Sequence, residues 1–220
     1  MGVTVIRALG ALDPSFILAP ERYDPRRSES TGVPLGELVE LVTDPVVAAG
    51  DPALAARVLV LDTSHAAEGL VRDGRACVAR EHIGSSKRRV SPGDVVLSRL
   101  RPYLRQIGWI DPPLFARSAE GNGVLVSPEF FVFRAPPGES AAWLVPWLLR
   151  PDVQDMLRSG QEGGHHPRVN RSVVTRLRVP LDIADARVAR AAEAAALLTT
   201  ARTALDALHA MAGTAARSAG

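Results

Sequence analysis

Cysteine is almost absent from this 220-residue chain, where Cys77 stands alone. A single thiol excludes an internal disulfide framework and a zinc site built only of cysteines, and nothing in it is at odds with a reducing cytoplasm. Lysine is as scarce. Lys87 is the one lysine among 26 basic residues, so arginine is the side chain available for bidentate contacts to phosphate or guanine. No segment approaches the roughly 18 consecutive apolar residues of a membrane span. The opening MGVTVIRALGALDPSF carries Arg7 and Asp13 and no small-residue cleavage pattern, so no signal peptide is read there. With 46% hydrophobic residues the chain has enough apolar material to fold without staples, and the expectation is a soluble, cytoplasmic protein.

Catalytic signatures are missing too. His165 and His166 are adjacent, but no HExxH or Cys-His spacing accompanies them, and a metal would need at least one further ligand. Residues 84–87 read GSSK, which is not the GxxxxGK[ST] of a phosphate-binding loop, and the motifs of a methyl-donor site are absent. Cys77 falls in an apolar-leaning stretch and reads as a core residue rather than a nucleophile. The expectation is a binding protein without catalytic residues, metal or cofactor.

What the chain does have is arginine concentrated in two segments. Arg80 to Arg105 holds seven basic residues against Glu81 and Asp94, a net +5, and Arg158 to Arg178 holds five arginines against Glu162, a net +4. The whole chain is only +2, so the remainder carries −7. Two basic segments on an otherwise acidic chain can present one positive face, as nucleic-acid binders do. In the second segment, RSGQEGGHHPRVNRSVVTRLRVPL, a glycine turn, two histidines and five arginines lie between apolar stretches. Taken alone, it suits a solvated polar loop and a polyanion-reading surface equally well.

For duplex DNA, Arg99, Arg101, Arg105, Arg168 and Arg171 can clamp phosphates or read guanine, and Asn170, Gln106 and Gln161 can pair with adenine edges. Tyr103 among the arginines can stack, bond a phosphate, or simply pack at the end of a strand. Lys87, Arg88 and Arg89 precede a turn and are expected to be exposed, touching the DNA backbone or nothing. His166 completes the set of DNA-binding candidates.

Along the chain, residues 1–32 form an irregular lead-in. PLGELVELV has proline at a first helical position and Leu35, Leu38, Val39 and Val42 at helical spacing, which predicts a short helix. RVLVLDTS reads as a strand, followed by a polar loop from His65 to Gly74, and Ala76 to Ile83 is a weaker strand. Val95 to Leu97 and Ile107 to Ile110 are strands on either side of an arginine-rich connection, and Val124 to Val126 and Phe130 to Phe133 are two more. Together they predict a twisted, mainly antiparallel sheet.

AAWLVPWLLRPDVQDMLRSG then reads as a helix broken near Pro151, with Trp143, Trp147 and Leu148 inward and Gly160 as its stop. Val173 to Leu181 begins as helix and ends as strand. From Asp182 to Met211 runs an Ala-rich helix about 45 Å long at roughly 1.5 Å per residue. Ala184, Ala191, Leu198, Leu205 and Ala212 recur every seven residues, with Ala194, Ala201, Leu208 and Ala215 three on. Two arrangements fit this pattern: an amphipathic helix lying on its own domain, and a protruding helix that pairs through Ala191, Leu198, Leu205 and Leu208.

The order of these pieces resembles one target recognition domain plus its spacer helix from the specificity subunits of type I restriction-modification systems, over roughly residues 33 to 212. GDVVLSRLRPY is similar to the family's "GDIL-S-RP" strand and loop, and GGHHPRVNRS-V--L-VPL to its "G-x-x-HPR" tail ending in "IPLP". The resemblance implies an α/β (α+β) fold, with a mainly antiparallel sheet flanked by helices and followed by a long C-terminal helix. The implied domains are a lead-in at 1–32, a recognition domain at 33–181, a spacer or dimerisation helix at 182–212 and a flexible tail at 213–220. It implies that Gly163, Gly164, His165 and Pro167 shape the turn into the VPL strand, with Arg168 also among the motif residues. It further implies a non-catalytic subunit that reads one half of a bipartite DNA target and brings an adenine methyltransferase, with or without a translocating nuclease, to it.

Two departures bear on that implication. The family's usual chain carries two recognition domains in tandem, whereas this one carries a single unit and so looks like a half-size specificity subunit. Two copies joined through antiparallel C-terminal helices would restore the full arrangement. After VPL the family continues with prolines and a Glu-Gln pair where this chain reads DIADARVARAAEAA, which bears on how the helix docks. Two other readings remain open on sequence alone: an interaction or inhibitor protein that keeps the recognition fold without DNA binding, and a small hydrolase using His165 or His166.

Overall fold

The computed structural model describes residues 8, 31–43, 54, 57–72, 78–117, 123–162 and 167–217. Most of the lead-in, Cys77, and the stretch Gly163, Gly164, His165 and His166 lie outside the described residues.

Two four-stranded sheets form the body. The first has the order β6 (Val78–Ala79), β3 (Arg57–Leu61), β10 (Val124–Val126) and β7 (Arg88–Val90). Its central pair β3 and β10 is parallel and its outer pairs are antiparallel. The second sheet is wholly antiparallel, in the order β2 (Glu40–Leu41), β11 (Phe130–Arg134), β8 (Val95–Ser98) and β9 (Ile107–Trp109). The mixed fold with mainly antiparallel pairing and a long C-terminal helix is as the sequence predicts, with its strands divided between two sheets.

Side-chain alternation on the second sheet explains the layering. Val95, Leu97, Phe131 and Phe133 face one core, and Val96, Phe130 and Val132 face another. The first core is closed by helices α1 (Leu35–Leu38), α3 (Leu144–Leu148), α4 (Pro151–Ser159) and α5 (Arg171–Thr175) through Leu35, Leu148, Leu157 and Val174, and by Trp143 of the turn before α3. The second core is closed by Leu59, Leu61, Val124 and Val126 of the first sheet and by Leu114 of α2 (Pro112–Arg117). β8, β9 and β11 of the second sheet therefore form a central layer buried on both faces, which is why they read as apolar runs.

Three short pairings tie the periphery. β1 (Val33–Pro34) pairs with β14 (Arg178–Val179), so that the start of the domain meets its end. β12 (Gln161–Glu162) pairs with β13 (Arg168–Val169). β4 (Ala66–Ala67) pairs with β5 (Leu70–Val71) inside the stretch predicted as a polar loop. Its turn is Glu68-Gly69 with φ of 51° and 91°, the left-handed pair that a two-residue hairpin needs, and Glu-Gly signals it less clearly than Asn-Gly would. A Cβ on Gly69 would lie 2.5 Å from Val145 Cγ1, so glycine also lets the turn seat against α3.

Two predicted helices are altered by tertiary pairing. The PLGELVELV helix is only α1, because Val39 turns extended (φ −143°, ψ 148°) and carries Leu41 into edge pairing with Phe133. The C-terminal helix is split into α6 (Leu181–Asp185) and α7 (Arg187–Arg217), with Ala186 at φ −90°, ψ 6° between them. Arg187 donates to both oxygens of Glu139 at 3.0 and 2.9 Å and to the Ala184 carbonyl, which fixes this joint.

The first half of α7 lies on its own domain. Ala191 and Ala194 are buried in the helix-side core and Leu198 packs against it, with small side chains permitting close approach to the Ala141–Trp143 turn. Farther along, buried Arg202 meets buried Asp111 at 2.5 Å. Beyond Arg202, the described side chains are exposed except for half-buried Leu205. The last 15 residues of the helix, about 22 Å, thus run past the body. The helix thus lies on its own domain through Ala191, Ala194 and Leu198 and protrudes beyond Arg202.

Removing one partner of a buried ion pair strands the other charge. Arg202→Ala and Asp111→Ala are each expected to cost about 3 kcal/mol or more in urea unfolding. The double variant should cost clearly less than the sum of the two, as a double-mutant cycle would register.

Candidate nucleic-acid interface

The loop after β8 is built by hydrogen bonds to two distant segments. Buried Ser98 closes its first turn, its hydroxyl donating to the Leu100 carbonyl and accepting from the Leu100 amide. The Arg99 amide then donates to Glu129 O at 2.9 Å, the Val169 amide to Arg99 O at 2.9 Å, and the Arg101 amide to Pro167 O at 3.2 Å. An isolated bridge between Leu100 and Arg168 completes the seam. These bonds place the two basic segments side by side although some 70 residues separate them.

Glu129, in the turn between β10 and β11, organises the arginines. Its carboxylate accepts from Arg168 Nε at 3.2 Å and Nη2 at 3.0 Å, and Arg99 Nε lies 3.9 Å away. Hydrogen bonding to Glu129 raises the Arg168 guanidinium above its ordinary pKa. Arg99 also lies over the Phe131 ring at 5.7 Å from its centroid, a cation–π position. Glu129 is itself held, its amide donating to Ser127 Oγ at 3.3 Å and its carbonyl accepting from Arg99. Sequence reading missed this residue, because a single carboxylate before an apolar strand carries no local signal.

Arg88 joins the same end of the molecule. It pairs in register with Val126, the last residue before the turn that holds Glu129. Arg89, one residue on, alternates to the other face of the sheet. Arg101 is exposed and, among the described residues, has no ion pair or side-chain hydrogen bond. Arg88, Arg99, Arg101 and Arg168 therefore lie at one end of the molecule, four arginines against Glu129 and Glu162 among the described residues.

The remaining candidates have other attachments. Lys87 was expected to be exposed, but it is 8% exposed and its amine donates to the Ser85 carbonyl and hydroxyl. Arg105 pairs with Glu68 at 3.1 Å and donates to Leu149 O at 3.4 Å, which ties the loop to the β4–β5 turn and to the end of α3. Asn170 donates to the Glu162 carboxylate across the β12–β13 hairpin. Arg171 donates to Leu41 O at 3.4 Å. Leu41 is opposite Phe133, so this contact lies about three residues, roughly 10 Å, along β11 from the Glu129 end. Tyr103 is half-exposed in the turn Pro102–Leu104, and His166 lies outside the described residues.

Among the described residues, no three His, Cys, Asp or Glu side chains come together as a metal site, and no helix is long and apolar enough to cross a membrane. For the pairing candidates, Ala191 and Leu198 are taken up by this chain's own core, Leu205 is half-buried, and Leu208 is 61% exposed.

No protein-family model matches the chain, and no curated protein matches it. Solved structures do. The chain is similar to one solved in work on the complex assembly and conformational transition of the type I R-M system, with 22% identity and a TM-score of 0.58. It is also similar to the HsdS subunit from Thermoanaerobacter tengcongensis, with 23% identity and a TM-score of 0.54. Each match covers 83% of this chain and 45% of the other, so the chain spans a little under half the length of either. Its two-sheet domain and long C-terminal helix thus have the fold of part of a type I restriction-modification specificity subunit.

Proposed function

We propose that the chain is a non-catalytic DNA-recognition subunit of a restriction-modification system, which reads one half-site and directs a separate adenine methyltransferase to it, with or without a restriction subunit. The observation that carries this reading is the gathering of Arg88, Arg99, Arg101 and Arg168 at one end of a specificity-subunit fold, where Glu129 holds Arg168 and lies near Arg99. Exposed guanidinium groups suit phosphate clamping and bidentate guanine contacts. A carboxylate that orients two of them restrains indiscriminate attraction to phosphate and favours defined geometry.

The second part of the proposal is a homodimer through α7. The exposed residues Leu197, Ala201, Ala204, Leu208 and Met211 alternate spacings of four and three, the seam of a coiled coil. This seam is offset from Ala191 and Leu198. An antiparallel, two-fold pairing of such helices would bring two recognition domains to an inverted-repeat target with a fixed gap.

Selection from a random-sequence duplex pool, with and without a methyltransferase subunit, is expected to enrich one sequence; enrichment of none in either condition overturns the reading. Arg101→Ala is expected to lower the salt dependence of binding by about one phosphate contact if it touches the backbone, or to cost about 1 to 3 kcal/mol on the selected site alone if it reads a base.

Glu129→Gln is expected to tighten binding to non-selected duplexes and steepen its salt dependence, while melting within a few degrees of the parent, because exposed pairs contribute under about 1 kcal/mol. Leu208→Glu with Met211→Glu is expected to yield monomers in sedimentation analysis that still bind a single half-site.

A further inference from the structure

The turn Arg101–Arg105 carries a second feature beside its charge. Pro102, Tyr103 and Leu104 form one turn of 3-10 helix with a left-handed residue at each end: Arg101 at φ 44° and Arg105 at φ 50°. Of the three non-glycine residues with positive φ among those described, two flank this turn. Left-handed backbone at a bulky residue costs about 1 kcal/mol or more and persists only where the surroundings impose it. Here they do. Pro102 is buried, the turn packs on α4, the Arg101 amide is held by Pro167 O, and Arg105 is held by Glu68 and the Leu149 carbonyl.

The outcome of that strain is two large apolar side chains held out to solvent: Tyr103 at 50% and Leu104 at 47% exposure. The other large hydrophobics exposed among the described residues are Leu181, Val188, Leu197, Leu208 and Met211, all on the C-terminal helices α6 and α7. Among the described residues of the recognition domain this pair is alone, and it sits beside exposed Arg101, two residues along the chain from Arg99 of the Arg99–Glu129–Arg168 cluster. A rigid aromatic and an aliphatic wedge, flanked by cations and kept in place at no further entropic cost, match what is needed to enter a base step.

We propose that Tyr103 and Leu104 form a wedge that inserts between base pairs of the bound duplex, Tyr103 stacking on an exposed base face and Leu104 filling the opened step. This rests on the DNA-binding reading above and adds a mechanism to it. Unstacking one step consumes part of the energy of the arginine contacts, so steps that unstack easily, pyrimidine followed by purine, are favoured at the wedge. Discrimination then arises at a position that no hydrogen bond reads.

The test uses the full chain and the duplex it selects, with 2-aminopurine substituted at one position after another. The wild type is expected to brighten one position as that base unstacks. Tyr103→Phe should keep both the affinity and the signal, because stacking needs only the ring, whereas Tyr103→Ser and Leu104→Ser should each lose the signal and about tenfold in affinity. Both positions are half-exposed, and unchanged melting confirms that the variants fold. If binding needs the methyltransferase, the same comparison is made on the complex, away from the adenine it methylates. A wild type that selects no sequence removes the DNA-binding reading and the wedge with it. Selection with no brightened position, equal losses for Tyr103→Phe and Tyr103→Ser, or serine variants that bind as the wild type overturns the wedge alone.

Discussion

A sheet buried on both faces is the constraint on which the rest of this molecule depends. Strands β11 and β8 have no solvated face between them: each residue of Val95–Ser98 and of Phe130–Phe133 is enclosed by the helices or by the other sheet. Polar function has no place on such strands and must lie where they end. The chain leaves β8 at Ser98 and enters β11 at Phe130, directly opposite, and the arginines and Glu129 gather at that edge.

The positive surface is held by backbone bonds before any side chain acts. Three amide-to-carbonyl bonds stitch the β8 loop to the β10–β11 turn and to β13. Glu129 then sets the direction of Arg168 and Arg99, and Arg105 anchors the far end of the loop. Backbone fixes position, carboxylates fix orientation, and the exposed residues Arg101, Tyr103 and Leu104 are left facing outward. Rigid placement of this kind lowers the entropy lost on binding.

Much of the fold was legible because it is written in local pattern. The apolar runs at 95–97, 107–110, 124–126 and 130–133, the helix break near Pro151 and the stop at Gly160 are all where the sequence places them. The β4–β5 hairpin was not legible, since Glu68-Gly69 is a weak turn signal and its strands are two residues long. Nor was it legible which face of α7 the domain covers. In an Ala-rich helix small apolar residues occur all round, so the seven-residue repeat through Ala191 and Leu198 and the offset seam through Leu197 and Leu208 look alike until the domain covers one of them.

The sequence by itself determined the class of the protein: two arginine-rich segments, no catalytic or metal-ligating motif, a mixed α/β domain and a long helix. Those properties depend on residue type and short-range spacing, which a single chain displays directly. Only the tertiary structure decided which arginines lie together. Lys87, Arg105 and Arg171 were candidates on sequence, and each is drawn to a partner of its own, whereas Arg88, Arg99, Arg101 and Arg168 lie at the end of the molecule that holds Glu129. That choice is made by strand register and by hydrogen bonds between segments tens of residues apart, and no local pattern encodes it.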